Sequence, residues 1–500
     1  MKALFQNLKR IKEAPQKNEG YDLICIISSK GAKDYWEWRL KEGKGKIYPA
    51  KAKIFCVEED FPKGAGQLLG TLRALQILQK NFDIFSFLKK GKTVAFYHTA
   101  GHGKRMAPLC GAEGNNKPAI KLPSPYPIEG KKNLLTLLEA VIFSTQIYAK
   151  TREGRISVFW GDQIIIPERH PKRETNLLGE IFGFKEKISL KKSLWQKEWQ
   201  SYGILIPQKR GVLQREKLSF EKIKELEKKG ILKKEGGKIL LAKSLGIFSL
   251  DWRVFKILLK EFSDELERKE RKLNTDFHFW MPLTSTQKEY QEYGGDPIYW
   301  KRIKDLKKRI QKKLKVKEIL GMKNLGKESL FWDFGQIKLY YQNLLLLCKN
   351  KKESKIMREF FDLEKYFIKK KKTKKIFIKN TLFVKSKVEE GKIENSVMVY
   401  SKFKKANLKD SVLINTRAKK IKAKKNLLYN VKGGKVLSLK EKEVITDVIF
   451  GEGSRIRMRS QITKDGKKLW KVRLPENVFS FAEIEKYLSR IANDALKFRW

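Results

Sequence analysis

Thr93-Val-Ala-Phe-Tyr97, followed at once by Ala100-Gly-His-Gly-Lys-Arg-Met-Ala-Pro-Leu109, is the stretch on which the reading of this chain turns. The first segment is apolar and aromatic and predicts a buried strand; the glycines after it predict a loop. Gly101 and Gly103 permit a tight turn that exposes backbone N–H groups, a geometry that receives a phosphate. Arg105 adds a planar fork of charged donors to that loop, and Lys104 adds a second cation. Further on, Lys117-Pro-Ala-Ile120 holds another cation on a rigid turn. A glycine loop alone also reads as an ordinary tight turn. The strand before it and the cations after it favour an anion site.

Working outward, the same alternation of strand, loop and helix recurs. Tyr21–Ser28 (YDLICIIS) predicts a buried strand and Ala32–Lys41 a helix, and Ala52–Val57 (AKIFCV) predicts a second strand. A glycine-bearing loop, Lys63–Gly70, opens the helix Thr71–Lys80 and places Gly64 and Gly66 beside a strand end. Leu134–Ala149 predicts an apolar helix, and Ile156–Trp160 a strand ending in Gly161-Asp162. Such alternation predicts a Rossmann-like, doubly wound α/β domain in which ligands sit at the carboxyl ends of the strands. Glu58, Glu59 and Asp60 precede the first glycine loop and read as a solvated strand end. His98 and His102 flank the second loop at no metal-binding spacing.

Composition limits the alternatives. The 500 residues suit two or three domains, and 41% hydrophobic content excludes general disorder. No apolar run approaches the roughly 18 residues of a membrane-spanning helix. The opening residues place Leu4, Phe5, Leu8 and Ile11 on one helical face and lack a signal peptide's continuous apolar core. Four cysteines without paired spacing fit a reduced, cytoplasmic protein. Lys+Arg outnumber Asp+Glu by 111 to 56, a net +55. That charge admits nucleic-acid binding. Its lysine bias and wide spread fit a solvated surface better, although Lys307–Lys317, Lys369–Lys375 and Lys419–Lys425 are dense runs. Such a surface draws anionic substrates towards it.

Beyond residue 348 the pattern changes. A basic linker is expected over 349–378. Ile393-Glu-Asn-Ser-Val-Met-Val399 and Leu408-Lys-Asp-Ser-Val-Leu-Ile414 then repeat one phrase at an interval of 15 residues, with a weaker echo over Ile421–Val431. Short strands repeated in this way predict parallel β coils over 379–432, with hairpins as the alternative. The remainder, 433–500, reads as a few strands and a terminal helix, Phe481–Leu496.

Together these segments resemble the sugar nucleotidyltransferases. AGHGKRMAPL with NKPAI is similar to that family's AGGxGTRLxPLT and PKPLxPI. Phe159-Trp-Gly-Asp-Gln163 resembles the strand that ends in a metal-binding aspartate, and Gly246-Ile-Phe-Ser-Leu250 the sugar-side GIY/GIF segment. Asn274-Thr-Asp-Phe-His278 is similar to the segment that supplies the second aspartate. Phe331-Trp-Asp-Phe-Gly-Gln336, with Tyr340 or Tyr341 and Asn343, resembles WxDIGTxxxYxxAN. The repeats fall where many members carry a left-handed β-helix. Gly64-Ala-Gly-Gln-Leu-Leu-Gly-Thr-Leu72 has a looser likeness to the GNGGSTL element of fucose-1-phosphate guanylyltransferase and the fucokinase-linked pyrophosphorylases. Three features depart from the pattern: Lys104 stands for Thr, Asn116 stands for Pro, and Gly111–Asn115 is inserted before Lys117.

The resemblance implies a catalytic domain over 1–348, with an N-terminal extension over 1–92, followed by a short β-helix. It implies Mg²⁺-dependent joining of a sugar 1-phosphate to a nucleoside triphosphate, with pyrophosphate released. Gly101, Gly103, Lys104, Gly64 and Gly66 would bind the nucleotide, Arg105 and Lys117 would act in catalysis, and Asp162 and Asp276 would hold the metal. Asp162 also reads as a strand-end turn residue, and Asp276 as a helix cap. A homo-oligomer built through the coils is the expected assembly. A degenerate sugar-nucleotide sensor and a nucleic-acid-binding protein are the competing readings.

Overall fold

A computed structural model describes residues 2–101, 103–125, 134–172, 177–433, 437–450 and 454–488. The chain opens with α1 (Lys2–Glu13), whose Leu4, Leu8 and Ile11 are buried. It then enters the central sheet at β1 (Leu23–Ser28), crosses by α2 (Lys33–Lys41) to β2 (Lys53–Glu58), and returns through α3 (Gly66–Asn81) to β3 (Val94–His98). β4 (Arg155–Trp160) follows on the far side of β3. All four strands are parallel, in the order β2-β1-β3-β4. The winding direction therefore reverses between β1 and β3, and a crevice opens outside the carboxyl ends at such a reversal.

β1 is buried along its whole length, as a parallel strand covered on both faces must be. Its pleat divides it: Ile24 and Ile26 join one apolar cluster, while Leu23, Cys25 and Ile27 join the other. The first cluster reaches the coil region through Val397, Val412 and Leu427. The second holds Leu68, Leu72 and Leu75 of α3.

The sheet continues with β5 (Gly179–Ile188), β6 (Gly203–Pro207), β7 (Val212–Glu216), β8 (Lys238–Asp251) and β9 (Leu320–Asn324). β8 runs antiparallel to β4, β5 and β6. β1 and β2 are strands of the central sheet, so the N-terminal extension 1–92 is part of it. The segment 215–320 is rich in helix and also contains the 14-residue β8. Its apolar run KILLAKSLGIFSLD reads as helix or strand by composition, and neighbouring strands decide the outcome.

The segment 349–378, expected as a linker, is folded. Lys352–Phe360 is a helix burying Ile356, Met357 and Phe360, and Phe367–Lys372 is a strand antiparallel to Ile376–Val384. Its apolar residues recur at helical spacing between the lysines, and that pattern outweighs the overall charge.

From Ile376 the chain runs in parallel coils. Leu382 pairs with Val397, Val397 with Val412, and Val412 with Leu427, so each step advances 15 residues. Polar ladders follow the same interval: Asn395 Nδ2 donates to Asp410 Oδ1 at 3.1 Å, and Ser411 N to Ser396 Oγ at 3.1 Å. Leu427 then pairs with Val444 of Glu443–Ile449, which runs antiparallel to Arg455–Gln461. The helix Phe481–Leu488 follows. No helix among the described residues is long and apolar enough to cross a membrane.

Candidate active site

Both glycine loops leave the same edge of the sheet, since β2 and β3 are parallel and each loop follows a carboxyl end. Thr99 and Ala100 donate their N–H groups to Ile27 O at 2.9 and 3.0 Å, which ties the second loop to the end of β1. Gly101 N lies 3.3 Å from Ser29 Oγ, its acceptor. Gly101 is exposed, has φ +127°, and a Cβ there would meet nothing within 4 Å, so its backbone faces open space. Gly103 is different. At φ +59° its Cβ would lie 2.7 Å from Cys110 Sγ and 2.9 Å from Lys117 Cβ, so only glycine lets Lys117 come this close. His102 lies outside the described residues.

Lys117 reaches Asp162 despite the insertion before it: its ammonium donates to Asp162 Oδ2 in a short ion pair. A Cβ on Gly335 would lie 3.0 Å from Asp162 Oδ2, 2.9 Å from Asp333 Oδ1 and 3.7 Å from Arg105 Nη2. Arg105, Lys117, Asp162 and Asp333 thus converge from four separate segments. Burial, and then the charge of Asp162, raise the Asp333 carboxyl above its ordinary range. The Gly335 N–H, Lys117 and Arg105 pull against that shift.

Asp333 is held in place from several sides. Gly335 N donates to its Oδ1 at 2.6 Å, and Asn343 Nδ2 to its carbonyl at 2.7 Å. Tyr340 donates to Lys121 O at 2.6 Å and Tyr341 to Asp410 O at 2.5 Å. The Trp-Asp-Phe-Gly element therefore braces the site and ties it to a corner of the coils.

Asp276 belongs to a second group of carboxylates. It is half-buried, and its charge adds to the desolvation that raises the neighbouring Glu216 carboxyl; desolvation raises Asp276 as well. Glu216 Oε1 accepts from Gln214 Nε2 at 2.6 Å. Asp276 Oδ2 would sit 3.6 Å from a Cβ on Gly246, a position also crowded by Trp160 Nε1 at 2.9 Å. This group joins the first glycine loop through Gln67, which donates to Gly246 O at 3.0 Å and accepts from Thr275 Oγ1 at 2.8 Å. Gly66, at φ +75°, closes the same junction, because a Cβ there would meet Leu273 O at 2.6 Å. Gly64, at φ +80°, leads into it.

Lys104 turns towards the C-terminal region. Its ammonium stands 5.4 Å from the centroid of the Trp470 ring, and a Cβ on Gly466 would press on Lys104 O at 2.3 Å. The insertion docks in the same direction. Gly111 packs where a Cβ would meet Val448 Cγ2 at 3.1 Å, and Asn115 Nδ2 donates to Glu485 O at 3.3 Å. Glu113 is buried, accepting from Lys121 Nζ at 2.9 Å and from the Tyr429 hydroxyl.

Three side chains in this region carry no assignment from sequence alone. Asp333 lies in a quoted motif, yet its approach to Asp162 is visible only in the fold. Glu216 sits in Arg215-Glu-Lys217, which carries no signal. Trp160 reads as a strand residue and lies over His98, ring centroids 5.8 Å apart. Among the described residues no group of three or more His, Cys, Asp or Glu side chains is placed to hold a metal ion.

No known protein family and no curated protein matches this chain. Among solved structures it is similar to HddC from Yersinia pseudotuberculosis, at 13% identity over 67% of this chain and 82% of that one, TM-score 0.28. It is also similar to a structure from Bacillus anthracis named as a glucose-1-phosphate thymidylyltransferase in complex with sucrose. There the identity is 12% over 67% of this chain and 99% of that one, TM-score 0.21.

Proposed function

We propose that this chain is a sugar-1-phosphate nucleotidyltransferase. The observation that carries the reading is the convergence of Arg105, Lys117, Asp162 and Asp333 outside the carboxyl ends of β3 and β4, beside an exposed glycine turn. An oxygen of the sugar phosphate attacks the α-phosphorus of the nucleotide in line. A new P–O bond forms, the α–β bridging bond breaks, and pyrophosphate leaves with the electron pair. The attacking phosphate is already ionised, so positioning and charge neutralisation make up most of the catalysis.

Gly103 offers its backbone N–H to the triphosphate, Gly101 does so on exchanging its Ser29 Oγ acceptor for a phosphate oxygen, and Arg105 meets the charge that builds on the departing pyrophosphate. Lys117 exchanges its contact with Asp162 for a phosphoryl oxygen. Gln67, with Gly64 and Gly66, borders the nucleotide, and Lys104 adds positive potential from beside Trp470. Asp162 and Asp276 would present hard oxygen ligands to Mg²⁺, and the charge of Asp276 beside Glu216 is what a divalent cation would relieve. Bound there, the ion would supply charge neutralisation at the phosphates. The coils of 376–432 are read as a short β-helix through which copies associate.

The test is pyrophosphate release from a matrix of nucleoside triphosphates and sugar 1-phosphates, with and without Mg²⁺. One pair should turn over, and only with the metal. Tight binding of a sugar nucleotide without turnover would instead assign the fold to sensing.

A further inference from the structure

One row of the coils is built unlike the rest. Lys387 pairs in register with Lys402, Lys402 with Arg417, and Arg417 with Lys432, so four successive coils stack a cation at one position. Neighbouring strands lie about 4.8 Å apart, so the row extends for about 14 Å. Like charges stacked in this way repel one another.

Several other coil lysines do have carboxylates. Glu390 pairs with Lys405 at 3.1 Å, Glu394 with Lys392 at 2.9 Å, and Glu441 with Lys424 and Lys425 at 3.1 Å. Among the described residues none of the four in the row has such a partner. Asp447, whose charge reaches Lys432, is already spanned by Arg457, with Nε to Oδ1 at 2.8 Å. Arg455 adds a fifth positive charge at that end of the row.

A groove of about 230 Å³ runs beside the row, lined by Lys402, Arg417, Lys432 and Tyr400. Tyr400 occupies a coil corner at φ +47°; the matching corners in the next two coils are Asn415 at +50° and Asn430 at +54°. Asparagine tolerates this conformation and a bulky ring does not. The two asparagines use the corner for an amide ladder, Asn415 Nδ2 donating to Asn430 Oδ1 at 3.0 Å. Tyr400 ends the ladder, the corner before it being Lys385 at φ +42°, and presents a half-buried ring to the groove, with Lys385 Nζ 5.7 Å from its centroid.

We propose that this face binds single-stranded nucleic acid, the phosphodiester backbone following Lys387, Lys402, Arg417 and Lys432 and an unpaired base resting on Tyr400. Cations that track a backbone beside an aromatic platform are the means by which single strands are held without sequence readout. A duplex offers no free base to the ring. A membrane surface would want apolar side chains to insert, and the exposed large ones, among them Ile298, Val472 and Val478, lie elsewhere.

The test is fluorescence anisotropy of a short labelled oligothymidylate with the full chain across a range of salt. Log affinity should fall against log salt with a slope of about −2 to −3, as three or four neutralised phosphates require. The double variant Lys402→Ala/Arg417→Ala should flatten that slope by about 1.4 and weaken binding at least ~10-fold. Lys312→Ala/Lys313→Ala, on the helix Pro297–Leu314, removes equal charge and should change neither. Tyr400→Asn should weaken binding while raising the thermal midpoint, a pairing of effects that a merely structural tyrosine would not give. The proposal is overturned if both double variants lose affinity alike, or if Lys402→Ala/Arg417→Ala changes nothing. It is equally overturned if a duplex binds as tightly as the strand, or if inorganic triphosphate or phosphatidylserine vesicles displace the strand at matched phosphate concentration.

Discussion

The hydroxyl of Tyr429, on the fourth of the stacked coils, donates to the carboxylate of Glu113, inside the five-residue insertion that precedes Lys117. Lys121 Nζ donates to the other oxygen of that carboxylate at 2.9 Å, and Lys121 N donates to the tyrosine oxygen at 2.9 Å. The network is buried, so a missing partner leaves a desolvated polar group behind. Sequence comparison treats the insertion as a displacement of Lys117. In the fold it is the contact that fastens the loop to the coils.

Tyr429→Phe should therefore destabilise the chain by about 1–3 kcal/mol, the usual cost of a buried hydrogen bond left unmade. It should also lower turnover while leaving nucleotide affinity within a few-fold of wild type, because Lys117 loses its anchor and the glycine loop does not. Urea unfolding and steady-state kinetics on the same preparation separate the two effects. Unchanged turnover in the variant would detach the coils from catalysis.

Gly103 sets the distance between loop and lysine. An added methyl would lie 2.9 Å from Lys117 Cβ and 2.7 Å from Cys110 Sγ, at a φ of +59° that disfavours any side chain. Gly103→Ala should cost about 1–3 kcal/mol through backbone strain and overpacking together. Because Lys117 must move, kcat should fall further than stability suggests. Gly101→Ala is the comparison: its methyl meets nothing within 4 Å, so it shares the backbone strain, at φ +127°, without the overpacking. Its effect should appear in nucleotide affinity instead. Equal kinetic losses in the two variants would mean that Gly103 does not position Lys117.

Arg105 and Lys104 are adjacent in sequence and separate in role. Arg105 is exposed beside Asp162 and Asp333, free to fold over a bound triphosphate, whereas Lys104 stands on Trp470. Arg105→Ala should lower kcat by ~10²-fold or more, by analogy with the loss of one oxyanion donor, with a smaller change in nucleotide affinity. Arg105→Lys should recover only part of this, since an ammonium lacks the planar fork. Lys104→Thr should leave kcat nearly unchanged and cost about 0.5–1 kcal/mol, an exposed cation–π contact. Wild-type turnover by Arg105→Ala would defeat the mechanism.

How far the sequence alone reached depends on the range of each interaction. β1, β3 and β4 were legible because parallel strands buried on both faces read as short apolar runs between glycine and charged segments, and the edge strand β2 carries a shorter run of the same kind. The 15-residue interval was legible because stacking requires the same residue type at the same phase, as in Val397 and Val412. Glu216 was not. It meets Asp276 only because β7 folds beside that segment, and no spacing across the 59 intervening positions encodes the contact. The central place of β1 and β2 was hidden for a related reason: strand order is a property of pairing, and pairing between Leu23 and Val94 leaves no local mark. Asp333 lay in between, its motif visible and its partner Asp162 invisible.

His98 provides a stability measurement independent of catalysis. It is buried at the end of β3, and Thr71 Oγ1 lies 2.8 Å from its Nε2. Thr71 already donates its single hydroxyl proton to Gln67 O at 2.6 Å, so it accepts from His98 and the ring carries its proton on Nε2. Charging the ring means placing a second proton on Nδ1 inside the protein, and burial pushes the pKa down to about 3. An unfolded chain takes that proton near pH ~6.5. Between those values the unfolded state binds one proton more than the folded state at this position, so stability rises with pH and is lost on acidification, by about 1.4 kcal/mol per unit. His98→Gln keeps a donor for Thr71 and removes the titration. Urea unfolding at pH 7.5, 6 and 5 should show wild type losing stability relative to the variant by about 1–2 kcal/mol across the range. Parallel stability profiles for the two proteins would show that His98 charges freely in the folded state, and the burial assigned to it here would be wrong.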